Sequence, residues 1–312
     1  MTNAIEIRDI NQVYRSGFWL KRVEILKGVS FSVKSGSAVG FVGSNGAGKT
    51  SLINIITGLR RPEGGSVKIF GSDPSSKLAK QKIGYLPERP YFYQHLSGQQ
   101  LLSHLGTLSG YPPSLKAARI LEVLEYVGLS DVGTKEISKY SKGMLQRIGI
   151  AQSIFHDPEL LILDEPMSGL DPIGRREMRD LILDLNQKGK TVFFTSHVLS
   201  DVEAIADEVV TISNGRITNS GSIDKFSAKG AFSIELKVLL GADFRESFAS
   251  KPFIRKFQPL RQIDQYRVVL DVGGKPEHLA AAFKALQDCK AEILSLTTNH
   301  DQLESLLRGE IQ

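Results

Sequence analysis

The chain has 312 residues but only one cysteine, Cys289, and one tryptophan. A single cysteine excludes a disulfide within the chain and is typical of a reducing compartment. No apolar run reaches the roughly 18 residues that a membrane-spanning helix needs, and the first residues lack the charged-then-apolar pattern of a signal peptide. We therefore expect neither a span nor a leader, and any membrane path that this chain serves would belong to another polypeptide.

The chain also has little excess of positive over negative charge. Lys and Arg number 39 and Asp and Glu 34, which gives a formal net charge of +5 at pH 7. No basic block and no stripe of interleaved basic and aromatic residues marks a nucleic-acid surface, so we expect no nucleic-acid partner. The length suits one large domain and a smaller one.

What the chain does have is a glycine-rich loop, residues 43–50, that fits the P-loop pattern of glycines followed by Lys-Thr. Its glycines let backbone N–H groups turn towards phosphate oxygens, Lys49 supplies a positive charge, and the Thr50 hydroxyl can bind Mg²⁺. An apolar strand over 38–42 leads in and a helix over 50–59 leads out, which disfavours the alternative of a structural turn. The predicted ATP-binding residues of this segment are Gly43, Ser44, Asn45, Gly46, Ala47, Gly48, Lys49, Thr50 and Ser51.

An apolar run over 160–163 ends in two acids, Asp164 and Glu165. Its length fits a fully buried central strand, and ligands bind at the carboxyl ends of such strands in open α/β sheets. We expect Asp164 to belong to the Mg²⁺ shell and Glu165 to be the base, or to position the water, for attack on the γ-phosphate. The alternative, a strand that ends in solvated acids, is weaker once a P-loop is present.

A second phosphate-binding segment lies far along the chain, where Ser141 is a good N-cap for a helix that starts at Lys142. Taken alone, this segment is an ordinary helix cap. His197, which follows an apolar strand over 192–195, is by itself an ordinary structural or surface histidine. Two phosphate-binding segments in one chain suggest, however, that the nucleotide is held from two sides and that the second side belongs to another subunit.

Taken together, these segments resemble the nucleotide-binding domain of the ATP-binding cassette (ABC) family over about residues 5–221. Residues 140–147 resemble its signature motif, in the form common among ABC-2-type exporter ATPases. Residues 168–171 match its D-loop, and His197 matches its switch histidine. The resemblance implies that two copies pack head to tail around two ATP molecules.

The resemblance also implies roles for individual residues. These are an adenine-stacking role for Tyr14, a catalytic role for His197 beside Glu165, and ATP contacts across the dimer from Ser141, Gly143 and Asp171. Glu88 stands where the family usually has a glutamine near Mg²⁺, and a carboxylate can also bind this ion. The implied cofactors are therefore ATP and Mg²⁺, with Thr50, Asp164 and Glu88 as metal ligands.

The expected fold is α/β: a P-loop NTPase core of the RecA-like type, with an antiparallel β subdomain and a helical subdomain at about 88–157, within an ABC domain over 1–221. In the family the helical subdomain meets the membrane partner, so the aromatic run 91–93 is a candidate for that contact, with core packing as an equal alternative. The apolar-then-basic segment 17–22 reads as a hairpin tip. Its Trp19 either touches a partner or lipid or, as we favour, packs on its own hairpin.

Beyond residue 221 the ABC motifs end and a smaller pattern begins. Apolar alternation and helical periodicity predict strands over 232–238, 254–259, 266–272 and 291–297, and helices over 243–250, 277–288 and 301–307. The order β-α-β-β-α-β predicts a small ferredoxin-like α+β domain over 222–312. Its expected role is dimerisation or regulation.

We therefore predict an ATP-hydrolysing subunit that forms a homodimer and powers an ABC-2-type exporter through a separately encoded permease, on the cytoplasmic face of the membrane. One alternative is a soluble ABC ATPase that remodels ribosomes or nucleic acid. Such proteins usually carry two cassettes or a long coiled coil, whereas this chain has one P-loop and no sustained heptads over 50–141. A regulatory protein that binds ATP without turnover is disfavoured by Glu165 and His197.

Overall fold

A computed structural model describes residues 2–16, 21–223, 233–240, 251, 254–260, 264–271 and 276–299. The chain divides into two compact units, Met1–Gly221 and Ser222–Gln312. Trp19 and the helices expected over 243–250 and 301–307 lie outside the described residues.

The first unit contains two sheets. In the smaller sheet, β1 (Asn3–Ser16) pairs antiparallel with both β2 (Lys21–Lys34) and β4 (Gly64–Ile69). The larger sheet contains, in the order of pairing, β5 (Ile83–Leu86), β6 (Leu160–Leu163), β7 (Thr191–Ser196), β3 (Ala38–Val42), β8 (Glu208–Ser213) and β9 (Arg216–Ser222). The pairings from β5 through to β8 are all parallel.

The central strands β3, β6 and β7 are buried along their whole length, which explains their uninterrupted apolar sequences. The Phe41 and Phe193 rings stack with their centroids 5.4 Å apart, and Phe31 of the smaller sheet stacks on both. Because parallel strands end at the same edge, the segments that follow β3, β6 and β7 meet there. These segments are the P-loop, the two acids and His197.

Seven α-helices complete the described part of the first unit. They are α1 (Lys49–Ile56), α2 (Lys77–Lys82), α3 (Gly98–Leu108), α4 (Pro113–Tyr126), α5 (Lys142–Ile154), α6 (Pro172–Gln187) and α7 (Leu199–Ile205). The predicted helix over 50–59 is wrong at its C-terminal end, because Gly58 takes a left-handed φ of 70° and its N–H bonds to the Ile55 carbonyl. Residues 88–97, expected to open the helical subdomain, form no helix.

The helical subdomain is tied to the core through Tyr126 at the end of α4. Its hydroxyl donates a hydrogen bond of 2.5 Å to Asp184 on α6, and the Lys188 ammonium lies 4.3 Å from the ring centroid. Burial raises the pKa of Tyr126, and the bond to Asp184 raises it further. The phenol is therefore a neutral donor at physiological pH.

We expect Tyr126→Phe to lower the free energy of unfolding by about 1–2 kcal/mol, because a partly buried donor to a carboxylate is lost. Urea denaturation followed by circular dichroism measures the change. Tyr93→Phe is the matched control, since the residue is 70% exposed and its hydroxyl makes no hydrogen bond to the described residues. Equal stability of the two variants would show that the Tyr126–Asp184 bond adds nothing net.

The second unit is a four-stranded antiparallel sheet with one described helix. Its elements are β10 (Ser233–Leu239), β11 (Ile254–Pro259), β12 (Gln265–Asp271), α8 (Pro276–Asp288) and β13 (Glu292–Asn299). The strand order is β11-β12-β10-β13, and Leu236, Val268, Leu286 and Cys289 lie in its core. This pairing is consistent with the ferredoxin-like order, which stays a prediction because residues 243–250 lie outside the described chain.

Candidate functional site

The P-loop joins β3 to α1 in a conformation that requires glycine at position 48. Gly48 is the N-cap of α1 and has a φ of 112°, and a Cβ there would lie 2.8 Å from a methyl group of Leu26. Lys49 Nζ donates to the Gly43 carbonyl at 2.6 Å and to the Ser44 carbonyl at 3.3 Å. The ammonium is thus folded over the loop, and the residue is only 8% exposed.

A cleft of about 620 Å³ opens beside this loop. It is lined by Ile25, Ser44, Asn45, Gly46, Gly48, Lys49, Thr50, Ser51, Glu88, Asp164, Glu165, Ser168 and His197. Of the predicted loop residues, only Gly43 and Ala47 do not line it. A Cβ on Gly43 would lie 2.4 Å from the Ile212 carbonyl, and Ala47 is buried, so both shape the loop from behind.

The two acids after β6 are held by one hydroxyl. Thr195 Oγ1 donates to Asp164 Oδ1 at 2.7 Å and accepts from the Glu165 backbone N–H at 2.7 Å. Sequence reasoning missed this role, for which the only signal is a polar residue near the end of an apolar strand. The Glu165 backbone has a φ of 50°, the left-handed region, and its side chain turns into the cleft.

Asp164 is a carboxyl group in an unfavourable place for a negative charge. It is 2% exposed, and burial raises its pKa. The charges of Glu165 and Glu88 raise the pKa further, against the opposing effects of Thr195 and Lys49. A buried carboxylate near two others is stabilised by a cation, so the donor set fits a divalent metal ion.

His197 contacts the second acid directly. Its Nδ1 lies 2.8 Å from Glu165 Oε2, and the imidazole side chain remains half exposed to the cleft. The sheet edge therefore brings together the P-loop, both acids and the histidine. A carboxylate held by a histidine next to a phosphate cradle is a candidate general base for a water that attacks a bound phosphate.

Two of the predicted site residues, Tyr14 and Glu88, differ from the others in their surroundings. Tyr14 does not line the cleft: the Arg60 guanidinium lies 4.2 Å from its ring centroid, and Ser51 donates a long 3.5 Å bond to its hydroxyl. Glu88 lines the cleft but is exposed and lies 3.8 Å from Arg89. No group of three His, Cys, Asp or Glu residues in the described ranges is placed to hold a metal ion.

The residues predicted to act across a dimer lie in a second cleft of about 520 Å³. Ser141 Oγ caps α5 by accepting from Met144 N at 3.3 Å, and Asp171 Oδ1 caps α6 by accepting from Gly174 N at 2.7 Å. A Cβ on Gly143 would meet nothing closer than 4.0 Å, so its backbone is open to an approaching group. This cleft shares no lining residue with the P-loop cleft.

The aromatic run after Glu88 is divided between surface and interior. Tyr91 and Tyr93 are exposed, so core packing is wrong for them. Phe92 is half buried and packs near Gly149 of α5. The two tyrosines therefore form an exposed aromatic pair beside the cleft residue Glu88.

A P-loop at a helix N-terminus, acids at the end of the neighbouring buried strand and a histidine at the end of the next define a P-loop nucleoside triphosphatase. Comparison with known proteins narrows this class. The family model for ABC transporters matches residues 26–168. The chain belongs to the ABC transporter family, as an ATP-binding subunit, which confirms the predicted family.

Several relatives show the extent of the likeness. The ABC transporter ATP-binding protein all4389 of Nostoc sp. is 48% identical over 72% of this chain and 68% of its own length. YxlF of Bacillus subtilis is 35% identical over 91% of this chain and 92% of its own. The bacitracin transport ATP-binding protein BcrA of Bacillus licheniformis is 38% identical over 76% of each.

Solved structures agree on the fold. An ATP-binding subunit of an ABC transporter superposes with a TM-score of 0.63 at 28% identity, over 72% of this chain and 91% of its own. The cassette MJ0796, in a dimeric post-hydrolysis state with ADP and phosphate, gives a TM-score of 0.64 at 22% identity, over 70% and 98%. The predicted P-loop NTPase fold is confirmed, and the chain is an ATPase of this family. No helix in the described part is long and apolar enough to cross a membrane.

Proposed function

We propose that this chain is the ATPase subunit of an ABC-2-type exporter and works as a head-to-tail homodimer. The observation that carries this proposal is the separation of the P-loop cleft from the Ser141 cleft. Each is lined by groups suited to phosphate, and the two have no residue in common. We infer that a nucleotide held by both clefts lies between two copies of the chain.

ATP is bound mainly through backbone N–H groups of residues 43–51, with Lys49 placed against the β- and γ-phosphates. Thr50 and Asp164 would hold Mg²⁺, with Glu88 close enough to the cleft to join them directly or through water. Bound Mg²⁺ neutralises phosphate charge and so makes the γ-phosphate easier to attack. Arg60 covers one face of the Tyr14 ring, so adenine would have to stack on the opposite face.

Hydrolysis follows from the Glu165–His197 pair. The oxygen of a water molecule attacks the γ-phosphorus, the bond from that phosphorus to the β–γ bridging oxygen breaks, and ADP and phosphate result. Glu165 accepts the proton of the attacking water, and His197 keeps the carboxylate in place through the 2.8 Å contact. Because β6 and β7 are buried, both side chains are presented from a rigid edge.

The two-subunit site predicts a loss of turnover without a loss of binding in Ser141→Arg. Ser141 is exposed, so an arginine there fits the single chain but occupies the space between two copies. We expect ATPase activity to fall at least about tenfold while ATP affinity stays within about twofold, because the P-loop is untouched. Phosphate release and fluorescent-nucleotide binding measure the two quantities.

Ser109→Arg at the end of α3 is the matched control for that variant. Ser109 is also exposed, and it lines neither cleft. We expect the control to keep the activity of the parent. Parent-level turnover in Ser141→Arg would contradict a site shared between two copies.

The membrane partner in this proposal is a separately encoded permease, which holds the chain at the cytoplasmic face of the cell membrane. The exposed pair Tyr91 and Tyr93 beside Glu88 is suited to that contact, because aromatic residues are enriched at protein interfaces. BcrA, named for bacitracin transport, supports a transport role over remodelling of ribosomes or nucleic acid. The unit over 222–312 would support dimerisation or regulation.

The partner can be identified by purification from native membranes. Glu165→Gln protein, loaded with ATP and isolated in detergent, is expected to carry a multi-span membrane protein that mass spectrometry can name. Ribosomal proteins or DNA with no membrane protein would overturn the exporter and favour a remodelling ATPase. The ATP site would stand in either case.

A further inference from the structure

An arginine and an aspartate face each other between α6 and α7, outside both clefts. Arg175 lies one turn into α6, four residues after Asp171, and Asp201 lies in α7, four residues after His197. Arg175 Nε is 3.8 Å from Asp201 Oδ2. The pair therefore links the helix that follows the D-loop to the helix that follows the switch histidine.

The hydrogen bonds of this ion pair are incomplete. Asp201 is 1% exposed, and neither of its carboxylate oxygens has a hydrogen-bond partner among the described residues. Arg175 Nε is also buried without such a partner in the described chain. A separation of 3.8 Å exceeds the hydrogen-bond range of about 2.7–3.2 Å.

Polar groups as deeply buried as these are nearly always hydrogen-bonded in folded proteins. Burial raises the pKa of Asp201, and the nearby Arg175 and Arg179 act in the opposite direction. His197 also lowers this pKa and Glu165 raises it, so the carboxylate is coupled both to α6 and to the Glu165–His197 pair. A movement of α6 towards α7 by about 1 Å would bring Arg175 Nε within bonding distance. A tighter approach of the two helices would complete these hydrogen bonds.

The N-terminal ends of the two helices differ in what holds them. Val202 of α7 packs so closely on β3 that a Cβ on Gly40 would lie 2.7 Å from its methyl group. Ser196 accepts a hydrogen bond from Val198 N, and Asp201 N donates to the Val198 carbonyl, which ties α7 to the His197 loop. The N-cap of α6, by contrast, is Asp171 in the open Ser141 cleft.

We propose that Arg175 and Asp201 are a positioning pair. Contact of the D-loop with a second copy of the chain moves α6 and shortens the distance between the two side chains. Through this contact α7 positions His197 and Glu165 for hydrolysis. The inference rests on the proposed head-to-tail dimer and adds a route by which one subunit's closure reaches the other's base. Neither residue lines the P-loop cleft or the Ser141 cleft. Both act through His197.

The test separates charge from packing at position 201 in steady-state ATPase assays of the full chain. Asp201→Asn keeps the shape and removes the charge, so we expect kcat to fall about tenfold with KM within about twofold. Asp201→Glu adds one methylene, which can span the 3.8 Å gap, and is expected to stay within about threefold of the parent. Asp180→Asn, an exposed acid on α6, is the matched control and should behave as the parent.

Arg175 is more exposed than Asp201, so Arg175→Gln tests the same pair and can replace an Asp201 variant that does not fold. If the two residues act together, the double variant Arg175→Gln/Asp201→Asn loses no more kcat than the worse single variant. The cooperativity of ATP hydrolysis, measured as the steepness of the rate against ATP concentration, should fall in each variant. The reason is that closure of the dimer no longer positions Glu165.

The results of these assays distinguish a failure of the positioning pair from a failure of the proposed function. A kcat for Asp201→Asn equal to that of an active parent, or equal losses in Asp201→Asn and Asp201→Glu, would overturn the positioning pair alone. Fully additive losses in the double variant would do the same. A parent without any ATP turnover would overturn the proposed function and this inference with it.

Discussion

Glu165→Gln is expected to lower ATP turnover at least about a hundredfold, because positioned general bases contribute roughly 10²–10⁴-fold to rate. Glutamine keeps the size of the side chain and its place beside His197 but cannot accept the proton of the attacking water. ATP affinity should stay within about threefold, since the P-loop contacts are unchanged. With hydrolysis stopped, ATP should hold two copies together.

Single-turnover hydrolysis and size-exclusion chromatography with ATP measure these two effects. Glu125→Gln, an exposed acid on α4, is the matched control and should turn over and elute as the parent does. Hydrolysis by Glu165→Gln near the parent rate would show that Glu165 is not the base. Loss of activity with no trapped dimer would instead point away from a site between two copies.

Lys49→Ala is expected to weaken ATP binding at least about a hundredfold, because charge-assisted bonds to phosphate are strong. The ammonium is almost fully buried and is already held by the Gly43 and Ser44 carbonyls. Little side-chain entropy is therefore lost when it binds phosphate. Alanine removes the charge and leaves the glycines of the loop in place.

Isothermal titration and the ATP-dependent shift of melting temperature measure the loss. Lys80→Ala, exposed on α2, removes the same charge away from the cleft and should bind as the parent does. Tight ATP binding by a folded Lys49→Ala protein would contradict the phosphate-cradle assignment. A lower melting temperature without ATP would show that the two carbonyl contacts also stabilise the loop.

The catalytic edge was predictable because its signals are local and its geometry is general. A glycine pattern followed by Lys-Thr, and apolar runs that end in acids or a histidine, place residues at the carboxyl ends of strands. A parallel sheet then aligns those ends without further information. The contact between Glu165 and His197, 32 residues apart in sequence, follows from the pairing of β6 with β7.

The features that escaped prediction depend on tertiary packing or on the positions of prolines. Pro87 and Pro90 exclude a regular helix at the start of the segment assigned to the helical subdomain. The role of Thr195 depends on two hydrogen bonds across strands, which no periodicity encodes. The position of Tyr14 depends on Arg60, which approaches its ring from the loop after α1.

Glu165 holds its carboxylate on a left-handed backbone, a conformation that costs an ordinary residue about 1–2 kcal/mol and glycine almost nothing. The chain therefore gives up some stability at this position. Selection of random variants for heat resistance would favour glycine or asparagine there and discard the reaction. Stability and turnover thus favour different residues at position 165, so a search for more stable variants would also need a screen for activity.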